Sequence, residues 1–446
     1  MRIIRNAQVS IFENYSKHEF GKRLKALSDI VDGHPEILSL VADDLIDKSA
    51  SQVGRIGLSV ENIFRCLLLK QQLQVDYETL AFHLSDSTTY RTFVRLPHAL
   101  CPSRSALQAT IRKIRPETLA KVHELLTSEW LVDRTISLEK VRIDSTVVES
   151  DIAPPSDSQL LNDGIRVLSR LLAKSKSATG IKLRFTDQRR HAKSLSFRIF
   201  NAKKSEKEAL YSQLMKCCRV VLAQVDRAVQ SVRVGAQDQE EAKKWIEKIE
   251  HFRDLTVQVM DQTERRVIKN ESVPACEKIV SIFEPHTDII VKGRRDTQYG
   301  HKVNISSDSS GFITYFSIED GNPSDKDLFL PVLDYHQSVL NKLPKSTVAD
   351  GGYASKNNVD VGRQRGIQRV VFHKRVGISL QAMGVKSKTF KELRNFRAGV
   401  EGNISELKRV FGAGKARWKK RDGFCAFVWS SVLSYNLMRL ARLNTT

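Results

Sequence analysis

Three acidic side chains, far apart in the chain, have the type and setting needed to cooperate on a hard cation. Asp144 follows Lys140-Val141-Arg142-Ile143, a polar and apolar alternation that reads as a half-buried strand stopping at the acid. Asp350 follows the short run Ser346-Thr347-Val348-Ala349 and precedes Gly351-Gly352, a turn signal. Glu401 lies in a segment whose Phe396, Val400, Leu407 and Phe411 recur at helical spacing. It is therefore expected on an amphipathic helix, with Arg397, Ser405 and Lys408 on its side. Two strand ends and a helix face can hold carboxylates rigidly around divalent cations, which take oxygen ligands. Each acid also has an ordinary reading: a turn cap for Asp144, an Asx-turn for Asp350, an exposed salt-bridged helix for Glu401. Glu406, about 140° further round that helix, is the competing acid.

Taken together, Asp144-Ser145-Thr146, Asp350-Gly351-Gly352-Tyr353 and Arg397-x3-Glu401-x6-Lys408 resemble the motifs of DDE transposases from bacterial insertion sequences. Many such families have a Tyr three residues before the Arg. That position is Arg394 here, so the Tyr's role is not carried over. The resemblance implies an α/β ribonuclease-H-like core, a mixed sheet flanked by helices, with an N-terminal all-α domain and an α-helical insertion. It implies nicking of double-stranded DNA at an element's terminal inverted repeats, then joining of the freed 3′-hydroxyl to target DNA. Two Mg2+ ions, for which Mn2+ can substitute, would serve this chemistry. By the same resemblance Asp144 would bridge both ions, Asp350 would hold one and Glu401 the other. A homodimer or higher assembly on DNA and a bacterial, nucleoid-associated cytoplasmic setting are also implied.

Composition agrees with a nucleic-acid partner. The net charge of +21 over 446 residues is spread along the chain, which suggests a polyanion, with an acidic membrane surface as second choice. No apolar run approaches a membrane span. The six cysteines show no Cys-x-x-Cys spacing, so reduced thiols in a cytosolic protein are expected rather than zinc. Neither a Ser-His-Asp arrangement nor a glycine-rich phosphate cradle is evident.

The elements that must position these acids follow from periodicity. Residues 1–135 are read as a helical, DNA-binding domain. Its clearest helices begin near Ser59, Asp76 and Ser103, and the last of these presents Arg104 and Arg112. Residues 136–156 and 285–446 are assigned to the catalytic core, with hairpin strands over 299–306 and 312–318. Residues 157–284 are assigned to the insertion, with long apolar helical repeats over 160–172, 210–229 and 245–259. A one-sided basic stretch between the first two repeats includes Arg189, Arg190 and Lys193, and is read as a DNA-backbone contact or a solvated helix face. Arg397 and Lys408 are expected to contact phosphates, as are Lys292, Arg294 and Arg295. Two other readings stay open: a non-catalytic DNA-binding descendant of such an enzyme, and a basic architectural or RNA-binding protein.

Overall fold

The computed structural model describes residues 2–5, 14–47, 57–97, 100–236, 239–292 and 296–445. Among these the chain opens with α1 (Glu19–Gly33), α2 (Pro35–Leu45), α3 (Val60–Leu73), α4 (Tyr77–Asp86), α5 (Thr88–Val94), α6 (Arg104–Ile111) and α7 (Pro116–Val132). Polar caps set several starts by satisfying otherwise unpaired backbone N–H groups. Ser59 and Asn62 form a reciprocal capping box, and Asp76, Ser87 and Ser103 accept from Thr79, Tyr90 and Ala106. Strand β1 (Lys140–Ser150) follows, then α8 (Asp157–Ala173), α9 (Ser175–Thr179), α10 (Arg189–Asn201), α11 (Lys204–Ala236) and α12 (Glu240–Thr263). The remainder is β2 (Asp288–Lys292), β3 (Asp296–Ser307), β4 (Ile313–Ile318), α13 (Phe329–Ser338), β5 (Ser346–Ala349), α14 (Lys356–Gln364), β6 (Arg369–Phe372), α15 (Ser387–Arg409), β7 (Lys415–Ala416) and α16 (Arg421–Leu443).

Two compact units result, one of residues 1–151 with 301–446 and one of residues 152–300. In the first, a mixed sheet runs β4-β3-β1-β5-β6, with β7 on the far part of β1. β1, β5 and β6 are mutually parallel, whereas β3 and β4 form an antiparallel hairpin. One apolar cluster joins Val141, Ile143, Val348 and Val371 of the sheet to Phe329 and Leu333 of α13 and Leu393 of α15. The other joins Val148, Val303 and Ile305 to the N-terminal helices and to α16. The described helices α1 to α7, expected within a domain of residues 1–135, share a core with the C-terminal helix. Buried polar links reinforce it: Gln71 Nε2 donates to Ser431 Oγ at 2.7 Å, and His123 Nε2 donates to the Ile313 carbonyl at 2.9 Å.

The second unit packs α8, α10, α11 and α12 around Leu161, Ile165, Leu168, Val221, Val225 and Ile249. Trp245 donates its indole N–H to the Leu171 carbonyl, 3.1 Å away. Helix α10 forms within the basic stretch, where the apolar repeats had placed no element. β2 pairs antiparallel with the first part of β3, as far as Gly300.

Candidate active site

Strand register brings the two aspartates together. Ile143 is the partner of Ala349 in the parallel β1–β5 ladder, and the ladder runs no further. Asp144 and Asp350 are the next residues on each strand, so they leave side by side, one strand spacing apart, about 4.8 Å. Asp144 does not end its strand, contrary to the sequence reading. β1 continues to Ser150 and takes up β7 through Glu149 and Ser150. What stops at Asp144 is the pairing with β5, whose chain turns away through a single 3-10 turn at Gly351–Tyr353.

Helix α15 brings the third acid. It buries Leu393, Val400, Asn403 and Leu407, and Asn403 Nδ2 donates to Ser307 Oγ at 3.0 Å. Gly399 lets the helix approach β1 closely, because a Cβ there would lie 1.9 Å from Arg142 Nη1. Arg142 itself is buried, donating to the Phe396 carbonyl (3.3 Å) and to Ser307 Oγ (3.0 Å).

One guanidinium connects the acids. Arg397 Nη2 lies 2.7 Å from Asp144 Oδ2 and 3.9 Å from Asp350 Oδ1, and Nη1 lies 3.0 Å from Glu401 Oε1. The Asp144 and Arg397 side chains are mostly buried, at 14% and 13% exposure, whereas that of Glu401 is 67% exposed. Burial pushes the Asp144 carboxyl above its ordinary value; the Arg397 guanidinium and the Ser145 amide oppose this, and Asp350 adds to it. Three carboxylates with one guanidinium leave net negative charge wherever all three are ionised. Such a hard-oxygen set suits a divalent cation in kind. In their present positions, no three His, Cys, Asp or Glu side chains among the described residues are grouped to hold one. The guanidinium takes the point of convergence, so holding an ion requires Arg397 to give way.

Glu406 is turned elsewhere, pairing with Arg439 at 3.6 Å and with Arg442. Lys408 stands two turns beyond Glu401 and lines a cavity of about 200 Å³ with Lys70, Gln74, Lys415 and Arg417. Burial, aided by Arg417, pulls the Lys70 ammonium down to about 8. Other basic residues named from the sequence have partners of their own or stand exposed. Arg104 faces Glu78 at 3.6 Å, and Arg112 donates to the Lys419 carbonyl at 3.0 Å beside the Trp418 ring. Arg189 pairs with Asp187, while Arg190 and Lys193 lie exposed on α10. Lys292 ends β2, and Arg294 and Arg295 fall outside the described residues.

A further acid beside Asp144 is Asp325, whose place in Ser324-Asp325 ahead of α13 has the local pattern of a helix cap. Its Oδ1 accepts from Ser145 Oγ at 2.9 Å and from Lys302 Nζ at 3.1 Å. It therefore braces the residue next to Asp144. Gly352 makes room for it, since a Cβ there would lie 2.7 Å from Asp325 Oδ2. The Gly-Gly pair was the available signal, but it was read as turn chemistry alone.

Residues 270–437 match the family described as Transposase DDE domain. The chain carries a DDE transposase domain. The match spans Asp350 and Glu401, and Asp144 precedes it, on the strand that comes before the helices of residues 152–300. No curated protein and no solved structure matches the chain. Among its described residues no helix is long and apolar enough to cross a membrane.

Proposed function

We propose that this transposase nicks double-stranded DNA at the ends of a mobile element and joins the 3′-hydroxyl ends to target DNA, on a ribonuclease-H-like core. The observation that carries this reading is the meeting of Asp144, Asp350 and Glu401 on the single guanidinium of Arg397. The strand order supports it too: a parallel β1-β5-β6 half and an antiparallel β3-β4 half deliver two aspartates from adjacent strands to one helix-borne glutamate.

Asp144, Asp350 and Glu401 would hold two divalent ions, Mg2+ or in its place Mn2+, supplying Lewis acidity toward a phosphodiester and a nucleophilic water or 3′-hydroxyl. The chain's own residues supply the rest. The β1–β5 register fixes the spacing of the aspartates. Asp325, Ser145 and Lys302 hold the backbone beside Asp144. Arg397, once released from the acids, becomes a charge-assisted donor for a phosphate oxygen. Lys408 and the cavity cations would engage flanking backbone, and the excess positive charge would favour assembly of copies on DNA.

The test is cleavage of duplex DNA bearing the element's terminal inverted repeats, with Mg2+. The parent is expected to nick; Asp144→Asn, Asp350→Asn and Glu401→Gln should still bind but lose at least about a thousandfold in rate, as removal of a transition-state contact predicts. A parent that binds the repeats without cutting them would favour the non-catalytic descendant.

A further inference from the structure

The helical unit of residues 152–300 carries a surface that the proposed chemistry does not use. On α10, Phe197 and Phe200 are 70% and 82% exposed. Scattered exposed apolar residues are ordinary, but these two lie on one stripe with Arg190 and Lys193, at spacings of three and four residues. The opposite face buries Ala192, Leu195, Ser196 and Ile199 against the unit's core. Charge around the pair is one-sided: over residues 182–204 Asp187 is the single acid, and it is held by Arg189.

Two phenyl rings standing in water beside cations lose more than they gain unless something covers them. A protein partner or a second copy would have to bring acidic groups to meet the cations. Unpaired DNA brings both components at once, phosphates for Arg190 and Lys193 and flat base faces for the rings. A duplex hides its base faces, so the rings would have little to meet there. We propose that α10 is a stacking platform for unpaired bases of DNA, engaging single-stranded or locally opened DNA in preference to duplex. This rests on the DNA-processing reading and adds to it a preference for the opened strand.

The test uses the full chain in EDTA, with fluorescence anisotropy on a labelled single strand and on the duplex of the same sequence. Phe197→Ala/Phe200→Ala is expected to lose about tenfold or more in affinity for the single strand and less than about twofold for the duplex. Phe197→Tyr/Phe200→Tyr should keep the single-strand preference, because the ring face remains. Lys193→Ala should weaken both substrates alike and lower the salt dependence by about one ion. Both rings are exposed, so an unchanged melting curve is expected and separates loss of contact from loss of fold. Unchanged single-strand affinity of the alanine pair, or equal loss on both substrates, overturns the platform. So does light scattering that shows the alanine pair abolishing a dimer, or sedimentation with anionic vesicles that depends on the rings while single-strand binding does not. Failure of the parent to bind DNA of either kind would defeat the DNA-processing reading as well; normal duplex binding with no ring-dependent preference defeats the platform alone.

Discussion

A buried carboxylate is stabilised by whatever cation reaches it, and at Asp144 that cation is a side chain. Removing the guanidinium in Arg397→Ala leaves the charge partly desolvated and unpaired. The expected cost is roughly 2 kcal/mol in a denaturant melt run in EDTA. Added Mg2+ should recover more stability in this variant than in the parent, since the competing cation is gone. Asp325 acts at one remove, through Ser145 and Lys302. Asp325→Asn should fold and bind DNA, yet lose roughly ten- to a hundredfold in nicking rate, because a small misplacement of a reacting group is costly. The three acids were singled out as a set by the resemblance of their local motifs to those of DDE transposases, and in the fold all three meet Arg397. Arg397's grip on all of them was not legible, since helical spacing relates it only to Glu401, and its reach to Asp144 crosses 253 positions. Asp325 was hidden because a Ser-Asp start before a helix looks like a cap, and only the fold shows its carboxylate turned toward β1.

At the scale of elements, placement depends on a ladder and a close approach. The alternation around Asp144 announced a strand, and Val148 and Ser150, buried beyond it, show why the strand goes on: β7 offers a second partner. No local pattern in Lys415-Ala416 could announce a two-residue strand. α15 was readable from its apolar stripe, but its distance from β1 is set by Gly399, which periodicity treats as a mere helix weakener. This can be measured with two alanines. Gly402→Ala points into open space and should stabilise the helix by up to about 1 kcal/mol. Gly399→Ala must displace Arg142 from Phe396 and Ser307, so thermal or urea melts should show it destabilised by about 1–2 kcal/mol, with slower cleavage. An equal gain from both substitutions would count against the close-packing account.

For the molecule as a whole, two fully buried imidazoles tie stability to acidity. Burial lowers His123 to about 4 and His336 to about 3, from an ordinary value near 6.5. Below pH 6.5 the unfolded chain takes up protons that the folded chain refuses, so stability falls as pH drops. For His123 the loss runs from 6.5 to about 4, and for His336 to about 3, at up to roughly 1.4 kcal/mol per pH unit for each. Melting temperature against pH should show this slope, and His123→Gln should flatten the stretch above about 4. Texture placed a helical insertion at 157–284, and the second compact unit runs over 152–300. The N-terminal helices looked independent because their own periodicities are complete, and nothing in their sequence points to a partner such as Ser431, which lies 360 positions from Gln71.

That partnership has a consequence for gene decay. α16 supplies Phe424, Val428, Leu433 and Leu437 to the core it shares with α1, α3 and α7. A ribosome halted by a nonsense codon before residue 421 releases a chain whose early helices lack the lid over their apolar faces. Such a fragment would expose those apolar faces to proteases. Loss of the last helix is therefore expected to undermine the whole shared core and not to leave a working N-terminal piece.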